Sequence, residues 1–582
     1  MKYPTLTELG ASRGMIDVFG GYNHNLRIGE GEFYDMTNLT SADYPVLSPR
    51  PQRGIYASLT NPTGMVSKDA LCYVDGGDFV INERRVPMGL SKEPKTLVSM
   101  GAYVIIMPDK KYINTASPGA DEGEYEHGNI EATFTGTVHV NPCLLDGTSL
   151  IGKTSYTPPE EPKNLDYWID ASSNYALKQY SSDKGEWISV PTTYRQIHAE
   201  GLDDIFSEGD GITISGTDNL QVIGDLFGTT VVQATGDGYI VVKGVYGHGS
   251  VSNAEVQNVT IERRMPKMDF VIESGNRLWG CRYGVSNYGD VVNEIYASKL
   301  GDFKNWYCFQ GISTDSYAAS VGTDGQFTGA ITHLGYPLFF KENCIHKVYG
   351  NYPSNYQIQT ISCRGVQRGC SKSLAIVNET LYYKSRSAVC AYDGSLPTEV
   401  STALGDVAYS DAVAGVLGNK YYISMKNDKD EYSLFVCDTL KGMWHREDDT
   451  QAVAFCNNRG NLYYIDYADK QIKSVIDTSG SPYDVKWRAI TGFIGTDSPD
   501  KKYISRLVVR LSLEVGATVA FYAEYDSSGE WEHLFTKSGT KLGSFSIPVR
   551  PKRCDHMRLR IEGKGMAKIY SICKTIEQGS DV

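Results

Sequence analysis

Charged residues make up only 21% of this 582-residue chain, and no apolar run reaches the length of a membrane-spanning helix. The first scarcity disfavours long charged helices, and the second leaves no membrane span to expect. The start, Met1-Lys2-Tyr3-Pro4-Thr5, lacks the apolar core of a signal peptide, so the expectation is synthesis in a cytoplasm and retention there until assembly or release. Cysteine is plentiful at twelve, but no Cys-x-x-Cys occurs. Most cysteines sit in apolar strand patterns (Cys281, Cys308, Cys390, Cys437, Cys456), which reads as buried free thiols rather than disulfides or metal ligands. Positive charge is in deficit, 56 basic against 69 acidic residues, for a balance of −13. That argues against a DNA-coating protein, which needs a basic surface, and leaves open DNA passing through an acidic lumen without sticking.

Signatures of chemistry are missing too. The ten histidines are scattered, with no His-Glu-x-x-His and no Gly-x-Ser-x-Gly, so zinc hydrolysis and serine acyl transfer have no support. Gly563-Lys564-Gly565 and Gly247-His248-Gly249 lack the strand-to-helix setting of a phosphate loop and read as turns. Asp428-Lys429-Asp430-Glu431 could hold calcium on a loop tip, but reads more simply as a solvated charged hairpin. No catalytic residue, cofactor or metal is expected, and the chain is read as not an enzyme.

What is abundant is glycine (59) and tyrosine (40), the vocabulary of turns and strands. A Gly/Asn turn followed by an aromatic and aliphatic run recurs as Gly275-Asn276-Arg277-Leu278-Trp279, Gly335 to Phe340, Asn378 to Tyr383, Gly418 to Ile423 and Gly460 to Ile465. The first aromatics (Trp279, Phe339, Tyr382, Tyr421, Tyr463) are 60, 43, 39 and 42 residues apart, three of the four near the length of one four-stranded blade. A lone small sheet cannot bury both faces, and a ring of sheets lets each cover its neighbour. The expected fold class is all-β: a β-propeller with an inserted small β module and a C-terminal antiparallel β-sandwich. A β-sandwich with recurrent turns is the alternative.

Four segments follow. Residues 1–120 hold a proline-punctuated arm and the first blade or blades, with strand-like runs Leu71-Cys72-Tyr73-Val74 and Tyr103 to Met107. Residues 121–264 break the rhythm and read as the inserted module. The blades resume over 265–490. In 491–582, Met557-Arg558-Leu559-Arg560-Ile561-Glu562 alternates strictly, as a strand with one wet face does.

Propellers also host glycosidases and lectins. Ser181-Ser182-Asp183-Lys184-Gly185-Glu186-Trp187 approaches the sialidase Asp-box, but it is one residue short and unrepeated. Paired carboxylates could serve glycoside hydrolysis, yet none of the 69 acids stands out. Aromatics of the insertion (Tyr167, Trp168, Tyr175, Tyr180, Trp187) could stack on sugar faces or fill the module's own core. Tyr167, Trp168, Tyr180 and Trp187 are the candidate glycan contacts.

The stretch Asn293 to Trp306, with Ser298-Lys299-Leu300-Gly301-Asp302 and Phe303-Lys304-Asn305-Trp306, resembles a signature of bacteriophage virion propellers, the tail nozzle or tail tubular and packaged-DNA stabilisation proteins. Gly301, Asp302 and Trp306 are the family-like structural positions. Asp35-Met36-Thr37-Asn38-Leu39 and Arg50-Pro51-Gln52-Arg53-Gly54 are similar to the family's N-terminal phrase, with the glycine displaced, and the ending Glu577 to Val582 also resembles phage structural proteins. The resemblance implies a structural virion protein in the tail, made in the host bacterial cytoplasm. It implies a homo-oligomeric ring, a hexamer, continuing the DNA channel and retaining the genome until ejection. Its partners would be portal or adaptor and other tail proteins, genomic DNA passing without sequence-specific binding, and tail fibres or a host surface glycan, with the arm at 30–55 and the C-terminal sandwich making subunit contacts. The alternative is a tail-tip propeller that binds or degrades a receptor glycan.

Overall fold

The computed structural model describes residues 10–118, 124–216, 220–286, 289–479, 483–496 and 500–578. Met1 to Thr5 and Gly579 to Val582 lie outside them. The chain divides into two compact units, one of residues 1–94, 340–345 and 361–582, the other of 95–339 and 346–360.

Six four-stranded antiparallel sheets of the blade type, and a seventh set of four such strands that continues at one edge into a larger sheet, occur among the described residues, which makes the chain a β-propeller protein. In the first unit, one is Pro62–Lys68, Ala70–Asp75, Asp78–Ile81 and Arg84–Pro87. Others start at Ala375–Val377, Tyr409–Leu417 and Ala452–Asn458. The second unit has sheets starting at Thr96–Met100 and Phe270–Ser274. Another runs from Gly329–His333 to Gln357–Ser362. Each repeated phrase occupies the turn into the second strand of its sheet, as Arg277–Val285, Thr380–Lys384 and Lys420–Asn427 show.

These second strands are buried on both faces. Trp279, Phe339 and Tyr421 are buried, and where Tyr382 and Tyr463 are only half-buried, the next residues, Tyr383 and Tyr464, are fully enclosed. Neighbouring sheets share cores. Tyr422, Leu434 and Val436 pack with Leu462, Tyr464 and Val475; Ile465 and Ile472 pack with Leu71, Tyr73 and Val80. In the other unit Val98, Ile105 and Met107 pack with Val271, Leu278 and Trp306. At about 1.5–3 kcal/mol for each large side chain buried, this sheet-on-sheet contact is the main stabiliser of the repeat.

The N-terminal segment adds a strand to its expected arm and blades. It contains two separate blades plus one strand, Gly54–Ser58, that pairs with Gln471–Ser474 and completes the last sheet. The arm at 30–55 is engaged within its own unit: Glu32–Thr37 pairs with Lys486–Thr491, and Phe33, Met36, Leu39 and Leu47 are buried. Arg53 lies 2.8 Å from Glu447 and 2.6 Å from Asp448, while the Arg50 Nε donates to Asn38 Oδ1 at 2.8 Å. The Asn-Leu and Arg-Pro phrases therefore meet in one buried ion cluster.

The insertion is two structures. A closed six-stranded barrel runs from Ala132–Cys143 to Ala254–Arg263, filled by Val138, Val140, Ile197, Ile212, Ile240 and Ile261. A small sheet, Thr154–Ser155, Tyr167–Asp170, Ala176–Ser181 and Glu186–Ser189, is inserted within it. Tyr125–Asn129 belongs to the preceding blade, because it pairs with Lys111–Pro118.

The C-terminal sandwich is made by strands that bend rather than by two independent sheets. Lys502–Tyr525 is 24 residues long. Its first half pairs with Ala567–Gln578 and its second with Met557–Lys564. The bend falls where Val515 is fully exposed and Gly516 takes φ of 87°, which a side chain would oppose. Inward residues Leu507, Val509, Leu511, Val519, Phe521, Leu559 and Ile561 are buried, and the strict alternation of Met557–Lys564 places its arginines outside.

Candidate functional site

In the small inserted sheet, strand alternation sorts the aromatic residues onto two faces. Ile169 and Leu177 point one way into a core with Leu150 and Tyr246, and Tyr167 and Tyr175 pack against that core. Trp168, Asp170, Lys178, Tyr180 and Trp187 share the opposite face, because Trp168 stands across from Lys178 and Tyr180 across from Trp187. The Trp168 and Trp187 rings are 5.5 Å apart at 66°, and those of Tyr180 and Trp187 are 5.4 Å apart at 61°. Both are edge-to-face contacts, the arrangement that ring quadrupoles favour.

Polar groups fix this cluster. The Lys178 ammonium lies 5.0 Å over the Trp168 ring and 2.7 Å from Asp170 Oδ2. Trp168 donates its indole N–H to the Ser155 carbonyl at 3.2 Å. Burial alone would raise the Asp170 carboxyl, but Lys178 and the Ser172 donors outweigh it and hold it below the usual carboxylate range. Trp168 is only 4% exposed, whereas Tyr180 and Trp187 are half-buried. The face thus offers one aromatic plate, Trp187, braced from beneath by the buried Trp168, with a tyrosine tip and an ammonium beside it. Such a surface suits a ring with one apolar side and hydroxyls around its rim, since amphipathic aromatics supply contact area while the polar groups fix orientation. Of the four candidate contacts, the fold brings Trp168, Tyr180 and Trp187 together and sends Tyr167 to the other face. Lys178 and Asp170 join the site unforeseen; their two-residue spacing from Tyr180 and Trp168 was the available signal.

The hairpin tip at Asp183 to Gly185 is exposed, and Gly185 N–H closes it onto the Ser181 carbonyl at 2.8 Å, an ordinary turn. At Asp428 to Glu431 the Asn427 side chain accepts two backbone N–H groups at 2.9 Å, and Lys426 pairs with Asp411 and Asp430, as in a charged hairpin.

Gly301, Asp302 and Trp306 lie around a clamp whose centre, Asn305, is buried. Gly301 N–H donates to the Asn276 carbonyl at 2.8 Å. Asn305 donates to Asp302 at 2.6 Å and to Asp210 at 2.8 Å, and accepts the Gly211 N–H at 2.8 Å. Asp210 in turn pairs with Arg263 at 2.5 Å. A Cβ on Gly211 would stand 2.7 Å from the Tyr307 backbone, so this approach requires glycine. Trp306 is buried and donates to the Phe303 carbonyl at 2.9 Å. The family-like motif locks barrel to blade. Asp210 and Arg263 belong to this lock, but nothing in their local sequence marks them.

The first strands of the blade sheets carry few acids: Asp411 in the first unit and Glu273 in the second, among the described residues. Glu273 accepts the Asn276 N–H at 2.9 Å, and Asp411 pairs with Lys426 at 2.9 Å. The twelve cysteines are all free, and burial pushes the Cys72, Cys143, Cys308 and Cys437 thiols up to about 12, which keeps them protonated and inert.

No family model matches the chain, and no curated protein matches it significantly. Solved structures do. An exo-β-1,3-galactanase from Phanerochaete chrysosporium aligns over 52% of this chain and 94% of its own, at 10% identity and a TM-score of 0.22. A family 43 arabinoxylan arabinofuranohydrolase from Bacillus subtilis gives the same coverage at 7% and 0.17. Trypanosoma rangeli sialidase covers 97% of this chain and 96% of its own at 8% and 0.23. The expectation that the chain is not an enzyme does not stand beside these matches, which are to glycoside hydrolases and a sialidase. At this identity they assign no catalytic role to any residue of the chain.

Proposed function

We propose that this protein is a glycan-recognising β-propeller protein whose sugar contact is the outer face of the small inserted sheet. The supporting observation is the braced cluster of Trp168, Tyr180 and Trp187 on the face away from that sheet's own core, flanked by Lys178. A surface aromatic pair that served only stability would turn inward, as Tyr167 and Tyr175 do. Glycan-array binding by the full chain tests the reading. Trp187→Ala should weaken the strongest signal about tenfold while the far-ultraviolet spectrum is unchanged. An array blank for the wild type, or equal binding by the variant, would reject it.

The setting we propose is a phage tail, at the point where it meets the host surface. Its support is the resemblance of Asn293 to Trp306 to virion propellers. The nozzle reading, a ring around ejecting DNA, rests on that same resemblance. Cryo-EM of the virion with symmetry left free separates them: an axial ring favours the nozzle, a peripheral position the receptor reading.

A further inference from the structure

A second site lies in the other unit, on the outer face of the C-terminal sheet. A cavity of about 590 Å³ is lined there by Arg446, Lys486, Arg488 and Lys564, against only Asp449 and Glu562. Asp35 and Asp484 also reach these cations from beside the cavity, pairing with Arg446, Arg488 and Lys564, which leaves Lys486 as the lining cation without an acid among the described residues.

The strand register sharpens the point. Lys486 stands directly opposite Lys564, and Arg488 opposite Glu562. Like charges directly across a ladder destabilise it, so folding alone does not account for the lysine pair. Lys564 reaches Asp484 at 2.6 Å, but both are more than half exposed, and such a pair contributes little. Lys486 makes no ion pair among the described residues. Arg488 gives one nitrogen to Asp35 at 2.7 Å, while its Nε is enclosed without a partner. Arg446 is oriented by Ser433 at 3.1 Å and by Asp449. Two opposed lysines and a half-exposed guanidinium therefore line one cleft, held by backbone ladders. Its volume is that of a small-molecule pocket.

We infer that this cleft binds a small ligand through an oxyanion group, a phosphate or a carboxylate, which neutralises Lys486 and Lys564 and rests against the exposed part of the Arg488 guanidinium. The site is independent of the aromatic face.

The test is calorimetric titration of the full chain at fixed ionic strength with inorganic phosphate, with glucuronate and with glucose. One saturable site for an anion and none for glucose is expected. Lys486→Gln should weaken it about tenfold, and should raise the melting temperature of the unliganded protein by relieving the lysine repulsion. Arg488→Lys keeps the charge but loses the fork, and should also weaken binding. Binding of phosphate but not glucuronate identifies a phosphorylated ligand, and the converse a carboxylated one. Both anions failing to outcompete chloride, or Lys486→Gln and Lys564→Gln binding like wild type, overturns the proposal.

Discussion

Two buried ionisable centres in the first unit show what single residues contribute. Arg53 bridges Glu447 and Asp448 with its side chain 11% exposed. Burial alone would raise the Asp448 carboxyl, yet Arg53 and Arg50 outweigh it and hold it below the usual range. Removing one partner strands the others in a low dielectric, so Arg53→Ala should cost about 3–5 kcal/mol in chemical denaturation, with a lower midpoint. The depressed Asp448 contributes stability that is complete above about pH 4 and is lost as pH falls through its folded value. His445 behaves differently. Burial, reinforced by Lys420, lowers its imidazole to about 3, so the folded state holds it neutral. The unfolded chain takes up the proton first. Stability should therefore fall from about pH 6.5 downward, by up to about 1.4 kcal/mol per pH unit from this group. His445→Gln should flatten that slope between pH 6.5 and 4; an unchanged slope would show that the acid sensitivity arises elsewhere.

At the scale of elements, the clamp around Asn305 and the aromatic face make separate claims. Asn305→Ala leaves Asp210 and Asp302 without a shared donor and should cost about 2 kcal/mol. If the clamp joins barrel to blade, hydrogen exchange should quicken at Gly211–Ser215 and in the strand Ala254–Arg263, while the sheets at Pro62–Lys68 and Tyr409–Leu417 keep their protection. Uniform acceleration would mean a global loss of stability instead. The inserted sheet shows how much of the site could be read in advance. Trp168, Tyr180 and Trp187 stand out as aromatics beside turns, but their division from Tyr167 follows from register, and a shift of one residue would exchange the faces. Lys178 and Asp170 are ordinary charges until pairing sets them beside the Trp168 ring. The anion cleft was invisible, because its cations come from strands separated in sequence by up to 118 residues.

For the whole molecule, the strand Gly54–Ser58 has the widest reach. It pairs with Gln471–Ser474, in register from Ser58 opposite Gln471 to Gly54 opposite Ser474, and thus ties the chain's beginning to its last blade. A chain lacking residues 1–58 should expose that edge and lose a single cooperative thermal transition in calorimetry; an unchanged melting profile would show that the closure carries no stability. The sequence by itself determined the class. Strand alternation, turn chemistry and a repeat near 40 residues are local properties, set by φ preferences and by the need of each small sheet to cover its faces. The blade-like second strands and the alternating Met557–Lys564 were legible for that reason. What only the tertiary structure decided is whatever depends on partners distant along the chain. The N-terminal arm is folded into its own unit, the insertion is a barrel carrying a second sheet, and one 24-residue strand serves both layers of the C-terminal sandwich. Those pairings are chosen by burial and hydrogen-bond satisfaction over the whole chain, for which no local pattern encodes the partner.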